Sequence, residues 1–264
     1  LAQDPNNTDA LMVLATERLR NSDPTQALAI LDRAPADSER NVGLQMLRMA
    51  ALDASGDQAG VEKLFERLIE LFPDNQGFRG ALVTWYLNAN RVDDAERVLR
   101  DLGKANPTDA DTQLRIVSFL GAKRGPEAAK AELNRLIEQA ADDKAARFRY
   151  QMALAQLEYS SGDKDKALEL TQSLIDTSTD AESKTKALVA LARIQAGQEK
   201  TDLALSTASK AIEADPGNSD AVSVRASILL IQGKPEEAIK DLLVAINEAP
   251  DTVGLHGLLA EAYD

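Results

Sequence analysis

The stretch that decides the fold is Gly233-Lys234-Pro235-Glu236-Glu237-Ala238, with Leu242 four residues and Pro250 twelve residues after Ala238. A small residue recurs at the position of Ala238, at spacings of 34, 34, 34, 38, 37 and 34 residues. These residues are Ala27, Val61, Ala95, Ala129, Ala167, Ala204 and Ala238. A large apolar residue follows four places on at Leu31, Phe65, Leu99, Leu133 and Leu242, and a proline twelve places on at Pro73, Pro107, Pro216 and Pro250. Self-similarity at such a period predicts a repeat array in which each unit packs on its neighbours.

Each repeat carries its own signals for ending one helix and beginning the next. Gly56, Gly162 and Gly233 supply a residue suited to the left-handed conformation that ends a helix. A proline or acidic residues follow directly, as in Pro235-Glu236-Glu237, and these favour the first turn of a helix. The sequence therefore predicts two helices per repeat and an all-α fold.

The period, the A-x3-F spacing and the closing proline resemble the tetratricopeptide repeat (TPR), whose full pattern is W-x2-L-G-x2-Y, A-x3-F and P. The second half of the pattern is well kept. The first half is degenerate, because the family's helix-crossing glycine is replaced by residues such as Ala15, Val83 and Ala155. The resemblance covers essentially the whole chain and implies a right-handed α-solenoid of stacked helix-turn-helix TPR units.

The predicted organisation is a single TPR array over residues 1–264. It comprises the end of a preceding repeat (1–7), repeats at about 8–41, 42–75, 76–109, 110–147, 148–184, 185–218 and 219–252, and the first helix of a further repeat (253–264). Both ends fall within repeats, so we expect a piece of a longer array. About seven extra residues are expected around 141–144 and 177–183, where they would lengthen helices or loops, and such insertions in solenoids often map to one face.

Charge and composition exclude several classes of function. Acidic residues outnumber basic ones by 43 to 30, and a formal charge of −13 argues against nucleic-acid binding. The densest basic cluster, Lys144, Arg147 and Arg149, follows Asp142 and Asp143 and is interpreted as a solvated helix start. No apolar run approaches the roughly 20 residues of a membrane span, so direct membrane insertion is not expected. The absence of cysteine leaves the periplasm and the cytoplasm both open.

The sequence offers no combination of residues typical of catalysis. His256 is the only histidine, and the chain has no cysteine to complete a metal site with it. Phosphate loops, dinucleotide fingerprints and nucleophile elbows are absent from the sequence. We therefore expect no enzyme activity, no metal and no cofactor.

The resemblance implies that the first helices line a concave groove that receives a protein or peptide segment. In the repeat register the candidate groove residues are Met12, Thr16, Met46, Thr84, Leu87, Leu114, Ser118, Met152, Gln156, Tyr159, Arg193 and Ser227. With Arg193 as almost the only cation, a clamp for a C-terminal carboxylate is not expected, whereas methionines suit an adaptable apolar surface. Alternatively, these side chains only pack between neighbouring helices.

Three functions remain open. The first is a non-enzymatic interaction scaffold within a larger multi-repeat protein. The Ala-rich repeats and turns such as Asp215-Pro216-Gly217-Asn218 resemble those of large bacterial TPR proteins, which implies a role in cell-envelope or exopolysaccharide assembly. The second is a regulatory or substrate-positioning arm of an enzyme whose catalytic domain lies outside residues 1–264. The third is self-association.

Overall fold

The computed structural model describes residues 6–263, and within this range the regular structure is helical, with no strand. The chain divides into two compact units, Leu1–Leu102 and Gly103–Asp264. The expected end of a preceding repeat falls mainly on residues 1–5, which lie outside the described residues. The all-α fold predicted from the repeat pattern is confirmed.

The first unit consists of paired antiparallel helices. They are α1 (Thr8–Arg20), α2 (Pro24–Leu31), α3 (Val42–Ser55), α4 (Gln58–Leu71), α5 (Gln76–Asn88) and the greater part of α6 (Val92–Ala105), with a 3-10 turn at Ala36–Arg40. Its core combines small and large residues: Ala15, Ala27 and Ala51 are fully buried beside Leu31 and Leu44.

The second unit continues the same pattern. Its helices are α7 (Ala110–Arg124), α8 (Pro126–Gln139), α9 (Lys144–Ser160), α10 (Lys164–Thr177), α11 (Ala181–Ala196), α12 (Thr201–Ala214), α13 (Ser219–Ile231), α14 (Pro235–Glu248) and α15 (Val253–Tyr263). Each helix packs on the next, and the odd-numbered helices also contact one another in the order α7, α9, α11, α13 and α15. These odd-numbered helices, the first helices of their repeats, therefore form a continuous layer in this unit.

An asparagine or aspartate begins the first helix of each of the seven repeats between residues 8 and 252. Its side-chain oxygen accepts a hydrogen bond from a backbone N–H in the first turn, which satisfies one of the helix's unpaired donors. These N-cap residues are Asn7, Asn41, Asn75, Asp109, Asp143, Asp180 and Asn218. Three of these first helices, α3, α9 and α13, end as the glycines predict, since Gly56, Gly162 and Gly233 have positive φ angles.

The N-cap positions show where the extra residues lie. In the 34-residue repeats the cap precedes the small residue of the second helix by 20 positions, as from Asn41 to Val61. The separation is 24 positions from Asp143 to Ala167 and again from Asp180 to Ala204. The loops before these caps are not lengthened. The insertion is therefore one additional helical turn, about 6 Å of rise, in each of α9 and α11, which are 17 and 16 residues long.

Alanine fills the core where α11, α12 and α13 meet. Ala192, Ala204, Ala208 and Ala211 are fully buried there, so the helices approach closely. At the corresponding place in the preceding repeat, the Thr171 hydroxyl is also buried and donates to the Ala167 carbonyl oxygen at 2.7 Å. The repeats of Ala167 and Ala204 have no large apolar residue four places on. Their cores are instead filled by the small side chains of Thr171 and Ala208.

Candidate functional site

The second unit contains an open cavity of about 800 Å³ along its layer of first helices. Residues of α7, α9 and α11 line it, together with the start of α13. Its apolar lining includes Leu114, Phe148, Met152, Ala155, Val189 and Ile194. Lys144 and Glu182, which belong to the first turns of α9 and α11, also line the cavity. The inserted turns therefore extend the walls of this cavity.

Four cations line the cavity: Lys144, Arg149, Lys186 and Arg193. The expectation that Arg193 would be almost the only cation in the groove is therefore wrong. The predicted inward positions were taken from the 34-residue repeats. Because α9 and α11 begin one helical turn earlier than the first helices of those repeats, the prediction did not include Lys144 and Lys186.

Acidic residues beside these cations have separate roles. The Asp180 carboxylate accepts a hydrogen bond from the Ser183 backbone N–H at 2.8 Å, and this bond holds the pKa of Asp180 below its ordinary value. Lys186 pairs with Glu182 at 2.6 Å, one helical turn away. Arg193 meets Asp220 at 3.5 Å, and both of these side chains are more than half exposed.

The cavity brings together some of the predicted groove residues. Leu114, Met152, Gln156 and Arg193 line it, and Met152 is half-buried while Gln156 and Arg193 are exposed. The remaining predicted residues of this unit, Ser118, Tyr159 and Ser227, are not among the described lining residues. The structure thus gathers four of the predicted side chains on one surface.

Tyr159 and Ser227 instead make local contacts. The Tyr159 hydroxyl lies against Gly197 at the end of α11, where an added Cβ would be 1.9 Å from the hydroxyl oxygen. Ser227 donates to the Ser223 carbonyl oxygen at 2.9 Å. Ser118 is exposed on α7.

In the first unit, Met46 lines a smaller cavity of about 580 Å³ with Met49, Phe65 and Trp85. The other predicted residues of this unit are dispersed. Thr16 donates to the Met12 carbonyl oxygen at 2.8 Å and Thr84 to the Gly80 carbonyl oxygen at 3.0 Å, while Met12 and Leu87 are half-buried.

Beside the smaller cavity, Glu62 of α4 is bound by two side chains from further along the chain. Its carboxylate accepts hydrogen bonds from the Tyr86 hydroxyl at 2.6 Å and from Arg91 Nη1 at 2.8 Å. The guanidinium of Arg91 also lies over the ring of Tyr86, 4.6 Å from its centroid. The bond from Arg91, and then that from Tyr86, hold the pKa of Glu62 below its ordinary value, and burial raises the pKa of Tyr86 to about 12. This polar network joins α4 to α5 and to the turn that follows it.

Within residues 6–263, no group of His, Cys, Asp and Glu side chains is arranged to hold a metal ion. No helix in the same range is both long enough and apolar enough to cross a membrane. The His256 ring is exposed, and its Nε2 lies 2.7 Å from the Pro250 carbonyl oxygen.

Stacked helical pairs with an open surface along their first helices define the class of protein. This is a helical-repeat protein of the kind that typically serves as a non-catalytic scaffold for protein–protein interaction. Comparison with known families assigns residues 120–259 to the description "Tetratricopeptide repeat-like domain" and residues 54–116 to "Tetratricopeptide repeat". The chain belongs to the tetratricopeptide repeat family.

Two solved structures are similar to the chain over almost its whole length. One is a structure of Naa15/Naa10 bound to HypK-THB, with 21% identity and a TM-score of 0.60, covering 98% of this chain and 39% of that chain. The other is a tetratricopeptide repeat protein from Parabacteroides merdae, with 15% identity and a TM-score of 0.53, covering 97% of this chain and 99% of that one. At these identities the likeness concerns the fold alone. The sequence matches none of the curated proteins with which it was compared.

Proposed function

We propose that this protein binds a segment of a partner protein in the cavity formed by α7, α9, α11 and the start of α13, and does so without catalysis. The observation that carries the proposal is the cavity itself, an open surface of about 800 Å³ with an apolar floor. A cavity of this size is within the range of protein ligand sites. The helix pairs over residues 8–252 would then act as one array that presents this surface.

The chemistry of the floor supports a polypeptide ligand. Phe148 and Met152 are one helical turn apart on α9, and Val189 lies opposite them on α11. Methionine adapts its shape to different apolar side chains. A floor of this kind accepts the apolar residues of a helix or an extended segment, while the charged rim orients the segment.

The test is capture of partners from a lysate of the source cell, with the parent chain and a Met152→Glu variant as baits. Leu203→Glu on α12 is the matched control, because Leu203 is 57% exposed and lies outside the described cavity lining. We expect a partner that the parent and Leu203→Glu both capture and that folded Met152→Glu does not. Equal capture by all three proteins would place binding elsewhere on the surface.

A narrower proposal is a role in bacterial cell-envelope or exopolysaccharide assembly. The Ala-rich repeats and the turn at 215–218 support it through their resemblance to large bacterial TPR proteins. The sequence of the complete gene product tests it. An export signal together with a membrane or barrel domain is the expected result. A product that lacks both contradicts this role, and a catalytic domain in the flanks would favour the enzyme-arm alternative.

A further inference from the structure

Four cations and three carboxylates, Asp180, Glu182 and Asp220, line the cavity, so basic side chains outnumber acidic ones there in a protein whose formal charge is −13. Lys144 and Arg149 come from α9, and Lys186 and Arg193 come from α11. Lys144 lies in the additional turn of α9, which the 34-residue repeats do not have. Part of this basic rim is therefore specific to the two expanded repeats.

The carboxylates nearest to the two helix starts are already engaged. Asp143 accepts a hydrogen bond from the Ala146 backbone N–H at 3.0 Å, and Asp180 accepts one from Ser183. N-cap carboxylates of this kind also interact favourably with the positive end of the helix dipole. Among residues 6–263, Lys144 forms no ion pair, whereas Arg149 is paired with Asp111 of α7. Neither Asp143 nor Asp180 forms an ion pair with Lys144 in the described part of the chain.

Two other cations of the rim, Lys186 and Arg193, have partners that a ligand can replace. The Arg193–Asp220 pair is long, at 3.5 Å, with exposed fractions of 58% and 77% for the two side chains. Lys186 and Glu182 form a pair within one helix, with exposed fractions of 56% and 74%. Exposed pairs of this kind contribute little to stability, so a carboxylate from a ligand can compete for Lys186 and Arg193.

We propose that the occupant of the cavity is an acidic and apolar segment of a partner protein. Its apolar side chains contact Phe148 and Met152 on the floor, and aspartate or glutamate side chains next to them in the segment contact Lys144, Lys186 and Arg193. This inference rests on the proposed function, and adds to it the charge of the ligand. Charge complementarity with an otherwise acidic surface also gives selectivity, because the rest of the protein repels an acidic segment.

The experiment selects ligands from a phage-displayed library of random 12-residue peptides with the full chain as bait. The enriched peptides are synthesised, and their affinities are measured by fluorescence anisotropy for the parent and for three variants. The first variant, Met152→Glu, changes the floor. The second, Lys144→Glu with Lys186→Glu, reverses the charge of the rim. The third, Lys210→Glu with Lys240→Glu, is the charge-matched control, because both lysines are exposed on second helices outside the described lining.

We expect the peptides to combine acidic and apolar residues and to lose binding to Met152→Glu. Reversal of the rim should weaken their binding about tenfold or more, and the control should change it by less than about twofold, as expected for local charge contacts. Peptides that need Met152 but are basic or uncharged, or that bind equally after rim reversal, overturn this inference and leave the proposed function intact. If no enriched peptide depends on Met152, both proposals fail.

Discussion

Removal of the Glu62 carboxylate should destabilise the first unit because it leaves the Tyr86 hydroxyl without its acceptor. Tyr86 is only 1% exposed, and its hydroxyl donates to Glu62 at 2.6 Å. A buried hydroxyl that loses its partner costs about 1–3 kcal/mol. The Glu62–Arg91 pair is partly exposed and adds at most about 1 kcal/mol. We therefore expect Glu62→Ala to lower the free energy of unfolding by about 2–3 kcal/mol.

A double-mutant cycle separates the hydrogen bond from the general effect of truncation. Tyr86→Phe removes the donor, and the double variant Glu62→Ala with Tyr86→Phe no longer contains an unpaired hydroxyl. The two single effects should therefore exceed the effect of the double variant, with a coupling energy of about 1–2 kcal/mol. Glu66→Ala, at an exposed position of the same helix, is the control and should change stability by less than about 0.5 kcal/mol.

The assay is urea denaturation followed by the fluorescence of Trp85. Trp85 is the only tryptophan, and its ring centroid lies 5.3 Å from that of Tyr86. It therefore reports on the first unit, which matters because repeat arrays do not always unfold in one step. A coupling energy below about 0.5 kcal/mol would refute the argument that Glu62 satisfies a buried hydroxyl. In that case the network would be a surface feature with little influence on stability.

Three further results are expected. Because the folded-state pKa of Glu62 is lowered from 4.5, its contribution is complete above that pH and is lost as the pH falls through the folded pKa. The stability difference between the parent and Glu62→Gln, measured by Trp85 fluorescence in urea, should thus be largest near pH 7 and shrink below about pH 4.5; a difference constant from pH 7 to 3 would contradict this. Gly197→Ala should lower the free energy of unfolding by about 1–3 kcal/mol in denaturation followed by circular dichroism, because the new Cβ meets the Tyr159 hydroxyl. Addition of Tyr159→Leu should recover part of that loss, and the argument is wrong if Gly197→Ala alone stabilises the protein. Ala208→Leu should lower the melting temperature, since Ala208 is fully buried among closely packed helices. An unchanged or higher melting temperature would show that the core can accommodate a leucine at this position.

The helix pairs could be predicted because their signals are local. Glycines such as Gly56 and Gly233 and the proline at Pro235 determine where helices end and begin, whatever packs around them. The family followed from the period and from the A-x3-F spacing. The additional turns of α9 and α11 were also encoded, since Asp143 and Asp180 stand 24 rather than 20 residues before the next small residue. This longer separation can be seen in the sequence only when the N-cap residues are taken as the start of each repeat.

Four of the predicted groove residues lie together in the structure. Leu114, Met152, Gln156 and Arg193 were placed by the repeat register, and they line one cavity. Phe148, Lys144, Arg149 and Lys186 were not among the predicted groove residues, because they precede the inward positions of a 34-residue repeat. The register placed these four residues on one face of the first helices, and it could not show that one part of that face is deeper than the rest.

By itself, the sequence determined the period, the two helices per repeat and the family, because the propensities and caps that produce them act within a few residues. Only the tertiary structure decided how these helices meet. It placed the additional turns of α9 and α11 in the walls of one cavity, placed four cations at its rim, and brought the Tyr86 hydroxyl onto Glu62, 24 residues away in the chain. Such contacts depend on how neighbouring helices cross and how closely they approach. The crossing angles and the distances between helices are set by the packing of whole helix faces against one another, so no single segment of the sequence determines them.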